Sequence, residues 1–181
     1  MSHIAVFVDR DGTVNVEVDY LSRPEQLVLL PGADGAIRRL NQLGLKVVMV
    51  TNQSAVARGY LTEEELSHIH QRLREMLAEH DAHLDAIYYC PEMPDSGNAC
   101  RKPEIGMMQQ AAGDLDIDLG RSYVVGDMAT DMEMGRRAGS KTILVLTGYG
   151  EQTRDQGVQV DYVAGDLPEA VRWIERDLKG K

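Results

Sequence analysis

The sequence predicts an α/β fold, a doubly wound and mainly parallel sheet with helices on both faces, from three observations. Short apolar, β-branched runs without alternation recur along the chain, as strands buried on both faces do. Segments with helical spacing separate them. Small polar and acidic residues follow several of these runs directly, where open α/β sheets bind ligands. Strands and helices in alternation call for right-handed crossovers and a parallel sheet.

Each element has its own signal. Ile4 to Val8 is the first strand, short and apolar throughout. Val14 to Leu30 holds Arg23-Pro24 and reads as a loop or small hairpin over the strand's end. After Pro31-Gly32, residues Ala36, Ile37, Leu40 and Leu43 mark one face of a helix over Ala33 to Leu43, stopped by Gly44. Leu45 to Val50 is a second buried strand. Thr62-Glu63-Glu64-Glu65 has the form of a capping box and opens a helix to about Asp81. Asp85 to Tyr89 is a third strand, followed by a loop from Cys90 to Pro103 rich in turn formers. Glu104 to Leu115 is helical, Ser122 to Val125 a strand, and Thr130 to Ala138 a helix ending at Gly139. Lys141 to Leu146 and Val160 to Ala164 complete the strands, and Leu167 to Leu178 is the last helix. No repeat, linker or insertion long enough for a lid interrupts this order, so residues 1–181 are expected to form one domain with an open site.

Bulk properties narrow the function. At 181 residues the chain is long enough to bury its own core. A net charge of −10 argues against nucleic-acid binding, which needs a basic face. It leaves room for a small phosphorylated substrate, because a local basic cluster or a metal overrides the global sign. Two cysteines do not make a disulfide framework, which points to a reducing cytoplasm. Met1-Ser-His enters the first strand without room for a signal peptide, and no apolar run approaches about 18 residues, so no membrane span is expected. The size suits a monomer. His68, His70, His80 and His83 read as surface or boundary residues, the methionines as core filler, and Trp173 as an anchor for the last helix.

The chemistry lies at the strand ends. Asp9 and Asp11 sit two apart after the first strand, so in extended backbone both project the same way, and Gly12 lets the chain turn. Two crowded acids call for a cation or a shared proton. The second strand runs into Thr51-Asn52-Gln53-Ser54, whose hydroxyl and backbone N–H groups suit a phosphate oxygen. Arg101-Lys102-Pro103 brings cations to the start of a helix. Gly126-Asp127 follows another strand, with Asp131 four residues on, and carboxylate oxygens are what Mg²⁺ takes. Singly, each pattern is also what a cap or a turn looks like; four in this order are not.

This set resembles the haloacid dehalogenase superfamily of phosphatases, whose four motifs match Asp9-Arg-Asp11-Gly-Thr13, Thr51, Lys102 and Gly126-Asp127 with Asp131. Asp9-Arg-Asp-Gly-Thr-Val-Asn15, Thr51-Asn-Gln-Ser-Ala-Val-Ala-Arg58-Gly, Tyr88-Tyr-Cys-Pro91 and Cys100-Arg-Lys-Pro103 are similar to its capless branch. The resemblance implies a Rossmann-like domain without a cap that hydrolyses phosphomonoesters. It also implies Asp9 as nucleophile and Asp11 as proton donor and acceptor, the latter kept protonated by its proximity to Asp9. Mg²⁺ would be held by Asp9, the backbone carbonyl of Asp11 and Asp127, with Asp131 behind them. Thr51 and Lys102 would hold the transferring phosphoryl group. A small phosphorylated sugar would meet Asp19, Tyr20, Asn52, Gln53, Ser54, Arg58 and Arg101, with histidinol phosphate as an alternative substrate.

Two departures stand out. Many relatives bind zinc through Cys-x-His and Cys-x-Cys, but this chain has Cys90-Pro-Glu92 and Asn98-Ala-Cys100. With only Cys90 and Cys100 as good donors a tetrahedral zinc is not expected. Some relatives place Lys after the metal-binding Asp, where this chain has Met128, which removes one substrate-phosphate contact. A non-catalytic phospho-aspartate receiver shares the acidic strand ends, Thr, Lys and Mg²⁺. It would carry its acceptor on a middle strand, whereas Asp-x-Asp-Gly-Thr leads here.

Overall fold

The computed structural model describes residues 2–180. Six parallel strands form its sheet: β1 (Ala5–Val8), β2 (Lys46–Asn52), β3 (Ala86–Cys90), β4 (Tyr123–Gly126), β5 (Lys141–Val145) and β6 (Tyr162–Ala164). Their spatial order is β3-β2-β1-β4-β5-β6. The chain therefore winds outward from β1 in one direction and then from β4 in the other. The switch falls between β1 and β4, where Val8 pairs with Val125. That crevice is where a doubly wound sheet holds its ligand.

Successive residues of each strand feed opposite faces. Val6 and Val8 join α1 (Ala33–Gln42), α2 (Glu63–Ala78) and α6 (Leu167–Lys179) in one core. Ala5 and Phe7 join α3 (Gly106–Leu115) and α4 (Ala129–Ala138) in the other. This two-sided burial is why the strands read as unbroken apolar runs. Met49, Met107, Met108, Met132 and Met134 are buried in these two cores.

Local chemistry sets the element ends. Thr62 accepts from the Glu65 N–H at 3.2 Å while Glu65 accepts from the Thr62 N–H at 2.6 Å, a reciprocal cap that starts α2. Between β1 and α1 the Val16 N–H donates to Val28 O and the Leu30 N–H to Val14 O, so this segment folds back as a small hairpin beside the site. Helix α3 begins at Gly106 rather than Glu104, because Lys102-Pro103 forms the centre of a turn closed by the Glu104 N–H on the Arg101 carbonyl. A short helix, α5 (Gly150–Asp155), has no counterpart in the sequence reading. It buries only Gly150 and Thr153, too few apolar positions to leave a periodic trace. No described helix is long and apolar enough to cross a membrane.

Candidate active site

The carboxyl ends of β1, β2 and β4 converge on a pocket of about 490 Å³. Asp9, Asp11, Thr51 and Lys102 line it, together with Asp19, Tyr20, Asn52, Gln53, Ser54 and Arg101. Asp127 and Asp131 lie beneath its floor, 0% and 1% exposed. Asp9, Asp127 and Asp131 each offer an oxygen within 4.8 Å of the others.

One buried cation stands among these acids. Lys102 Nζ lies 2.9 Å from Asp9 Oδ1 and 2.7 Å from Asp131 Oδ1, and it donates to the Val50 carbonyl at 3.1 Å. Burial opposes its charge, but Asp131 and Asp9 outweigh burial and raise Lys102 above the ordinary lysine value. Asn52 fixes its backbone from both sides, accepting from Lys102 N–H and donating to Lys102 O. Asp131 uses its second oxygen on the Met128 N–H, capping α4. Gly126 is obligatory below it, since a Cβ there would overlap the Asp131 carboxylate.

Asp9 accepts from the Arg10 N–H at 2.7 Å through the same Oδ1 that meets Lys102. Burial first, then the Asp131 charge, pushes its carboxyl up to about 7. Burial and the Asp9 charge push Asp127 up to about 8. Asp127 is aimed by the Tyr149 N–H, 2.9 Å from Oδ2, and its carbonyl accepts from Thr153 Oγ1. Gly12 and Gly148 close over that carboxylate at positive φ, and a Cβ on either would run into Oδ2. Three crowded carboxylates and one ammonium leave an excess of negative charge at the buried floor of the pocket. The oxygen-only donor set and the glycine cradle fit a hard divalent ion such as Mg²⁺. Asp9 keeps one oxygen without a protein donor, and Asp127 Oδ1 has only a long contact from Thr13 Oγ1 at 3.5 Å. Lys102 and the Met128 N–H engage both oxygens of Asp131 at 2.7 and 3.1 Å, so Asp9 and Asp127 are the side chains with room for it.

Asp11 differs from expectation. Burial raises its pKa, but Arg10, Asn15 and Gln53 outweigh burial and hold it below the ordinary carboxylate value. Arg10 Nη2 lies 3.0 Å from Asp11 Oδ2, while Nε and Nη2 both reach Oδ1 at 3.2 Å. Asn15 and Gln53 each donate an amide N–H to it at 3.0 Å. Proximity to Asp9 therefore does not keep Asp11 protonated in the resting site; the intervening arginine folds back and decides the matter.

The sequence reading placed Arg10 and Asn15 in the leading motif but gave neither them nor His70 a role at the site. His70, read there as a surface or boundary residue, is 7% exposed, and its Nε2 lies 3.2 Å from Arg10 Nη1. Its signal was present: Leu66, His70, Leu73 and Leu77 share one face of α2. Glu17 was also missed. It lines the pocket, and burial, then Asp11 and Asp9, push it up to about 7. His68, His80 and His83 are exposed.

Of the expected substrate residues, Arg58 is the exception to the pocket wall. Its guanidinium lies 5.5 Å from the Tyr20 ring, and Tyr20 meets Tyr60 edge-on at 4.8 Å. Gln53 is committed to protein partners, donating to Thr51 Oγ1 at 2.9 Å and accepting from Arg10 Nη2. Arg101 donates to the Glu92 carbonyl at 2.8 Å, and burial followed by Arg58 lowers its pKa. Cys90, the last residue of β3, is disulfide-bonded to Cys100. The cysteine count did not suggest a bridge; the turn-rich loop between them brings the two Cα atoms within 5.5 Å. Bonded to each other, these sulfurs are not thiolate ligands for zinc.

Residues 99–170 match the HAD-hydrolase-like family. The chain is 44% identical to the D-glycero-D-manno-heptose-1,7-bisphosphate 7-phosphatase of Thermosynechococcus vestitus, covering 96% of each chain. It is 39% identical to the D-glycero-beta-D-manno-heptose-1,7-bisphosphate 7-phosphatase of Yersinia pestis, covering 93% of this chain and 95% of that one. It superposes with a TM-score of 0.91 on the crystal structure of D,D-heptose 1,7-bisphosphate phosphatase from B. bronchiseptica complexed with magnesium and phosphate. That protein is 37% identical, over 96% of this chain and 99% of the other.

Proposed function

Since the chain belongs to the heptose-bisphosphate phosphatase branch of the haloacid dehalogenase-like hydrolases, we propose that it removes the 7-phosphate of D-glycero-D-manno-heptose 1,7-bisphosphate. The observation that carries this reading is Asp9 at the sheet's switch point, held by Lys102 beside Asp127 in a pocket of sugar-phosphate size. The product would feed heptose-containing glycans such as lipopolysaccharide. We further propose a monomer acting in the cytoplasm on a charged substrate that does not cross a membrane unaided.

Asp9, Asp127 and the Asp11 carbonyl would hold Mg²⁺, which would supply positive charge against the phosphate and the attacking carboxylate. One Asp9 oxygen would face the metal while the other attacks phosphorus in line, displacing the leaving alkoxide and forming an aspartyl-phosphate; in the resting site Oδ1 is held by Lys102 and the Arg10 N–H. Thr51 Oγ1 accepts from Gln53, so its own proton is free to donate to a phosphoryl oxygen. Lys102 has acceptors on Asp9, Asp131 and Val50. A phosphoryl oxygen must share or replace one of these to reach it. Asp11 protonates the leaving alkoxide and then deprotonates the hydrolytic water. An incoming phosphate places negative charge beside Asp11 and raises its pKa, so protonation accompanies substrate binding.

Ranking kcat/KM over a panel of sugar phosphates, both anomers of the heptose bisphosphate and histidinol phosphate tests the reading. A heptose 1,7-bisphosphate at the head, with release of the 7-phosphate, is expected. Histidinol phosphate at the head would reassign the substrate, and a stable phosphoprotein without release would favour a receiver.

A further inference from the structure

We infer that His70 is a positioning residue for catalysis: through Arg10 it fixes the orientation of the Asp11 carboxylate. Arg10 is a full positive charge, 1% exposed, at the back of the pocket. Its Nε and Nη2 grip Asp11, and Nη2 also reaches Gln53 Oε1 at 3.2 Å. Nη1 points the other way, to His70 Nε2 at 3.2 Å. A guanidinium only donates, so Nε2 must be the acceptor, which makes the ring neutral with its proton on Nδ1.

The imidazole is itself buried and packed. It sits on the buried face of α2, between Ile69 and Leu73 in a helix started by the Thr62–Glu65 cap, and its ring lies 5.9 Å from that of Tyr89 in β3. His70 thus ties the Arg10 fork to the rigid frame of α2 and β3. Without an acceptor there, a buried N–H would lack a partner and the guanidinium would turn to find one. Asp11 would turn with it. The burial that lowers the His70 pKa to about 3, with Arg10 as the next cause, keeps the acceptor form present throughout neutral pH.

A misoriented acid–base group harms the proton-transfer steps more than substrate binding, which Thr51, Lys102 and the metal site serve. Steady-state kinetics of His70→Phe, which keeps volume but loses the acceptor, should show kcat reduced about 10- to 100-fold with KM within about twofold. His70→Gln, which keeps an acceptor oxygen, should recover most of kcat. Nitrogen NMR of the folded wild type, read without turnover, should show Nε2 unprotonated and Nδ1 protonated at neutral pH. A His70→Phe enzyme with wild-type kcat, a His70→Gln enzyme no better than His70→Phe, or a protonated Nε2 would each overturn the inference. It rests on the phosphatase reading. Wild-type protein releasing no phosphate from any sugar phosphate defeats that reading, whereas active wild type with unaffected His70→Phe defeats the inference alone.

Discussion

At the residue scale, the site is a problem of charge. Asp9 and Asp131 share one buried ammonium beside Asp127, and each of the three acids is inside the protein where ionisation is costly. Asp9→Asn removes the attacking oxyanion and one negative charge together. It should abolish phosphate release, while its metal-free form melts no lower than metal-free wild type at pH 8; calorimetry and a phosphate assay check both. Lys102→Met takes away the ammonium and leaves Asp9 and Asp131 facing each other. Its kcat/KM should fall by roughly 10²- to 10³-fold, the range seen when one charge-stabilising donor is lost. Unchanged kcat/KM would remove Lys102 from the reaction. Sequence pointed to Asp9, Asp11 and Asp127 because they follow apolar strands, to Thr51 because it ends one, and to Lys102 because it precedes a helix. It gave Arg10 and Asn15 no role and read His70 as a surface or boundary residue, because their importance lies in side-chain direction. Arg10 could have faced solvent; that it turns inward is settled by Asp11, Gln53 and an imidazole 60 positions away.

At the element scale, the loop between β3 and α3 carries Arg101 and Lys102 into the pocket. The Cys90–Cys100 bond and the Asn52 contacts with Lys102 hold that loop. Closing so short a loop constrains the unfolded chain by about 2–3 kcal/mol. The Cys90→Ser/Cys100→Ser double variant should therefore lose about that much stability in denaturant titrations without reductant, and wild type with reductant should match it. Equal stability of the oxidised wild type and the variant would show that packing alone holds the loop. Most element positions were readable from apolar runs and caps. Helix α5 was not, since a polar turn of helix that buries two small residues lacks a periodic signature. The bridge was not readable either, because pairing depends on how the loop folds.

At the scale of the whole molecule, protonation and metal binding are linked. Asp9 and Asp127 hold protons more tightly in the fold, at about 7 and about 8, than at their ordinary value of 3.8. The folded state therefore binds more protons than the unfolded chain between these limits, and metal-free stability falls as pH rises across the window. His70 works in the opposite sense, its folded value lowered from 6.5 to about 3, so its contribution is complete above pH 6.5. Between pH 6.5 and pH 8 the acids decide. The rise in Tm produced by Mg²⁺ should accordingly be larger at pH 8 than at pH 6.5, and an equal rise would place the ion away from these carboxylates. The doubly wound topology was the most legible feature of all, because burial on both faces writes itself into the inner strands β1, β2, β4 and β5. The substrate is written least clearly, in loops such as Glu17–Tyr20 and Arg58–Tyr60 whose mutual placement no periodicity encodes.

Formation of a bond from Asp9 to phosphorus is most directly tested by crystallising the protein with Mg²⁺ and beryllium fluoride, which mimics an aspartyl-phosphate. Beryllium bonded to an Asp9 carboxylate oxygen, with Thr51 and Lys102 on its fluorines, is the expected result. Beryllium fluoride bonded to another residue, or none bonded with the Asp9 carboxylate turned away from the pocket, would contradict it.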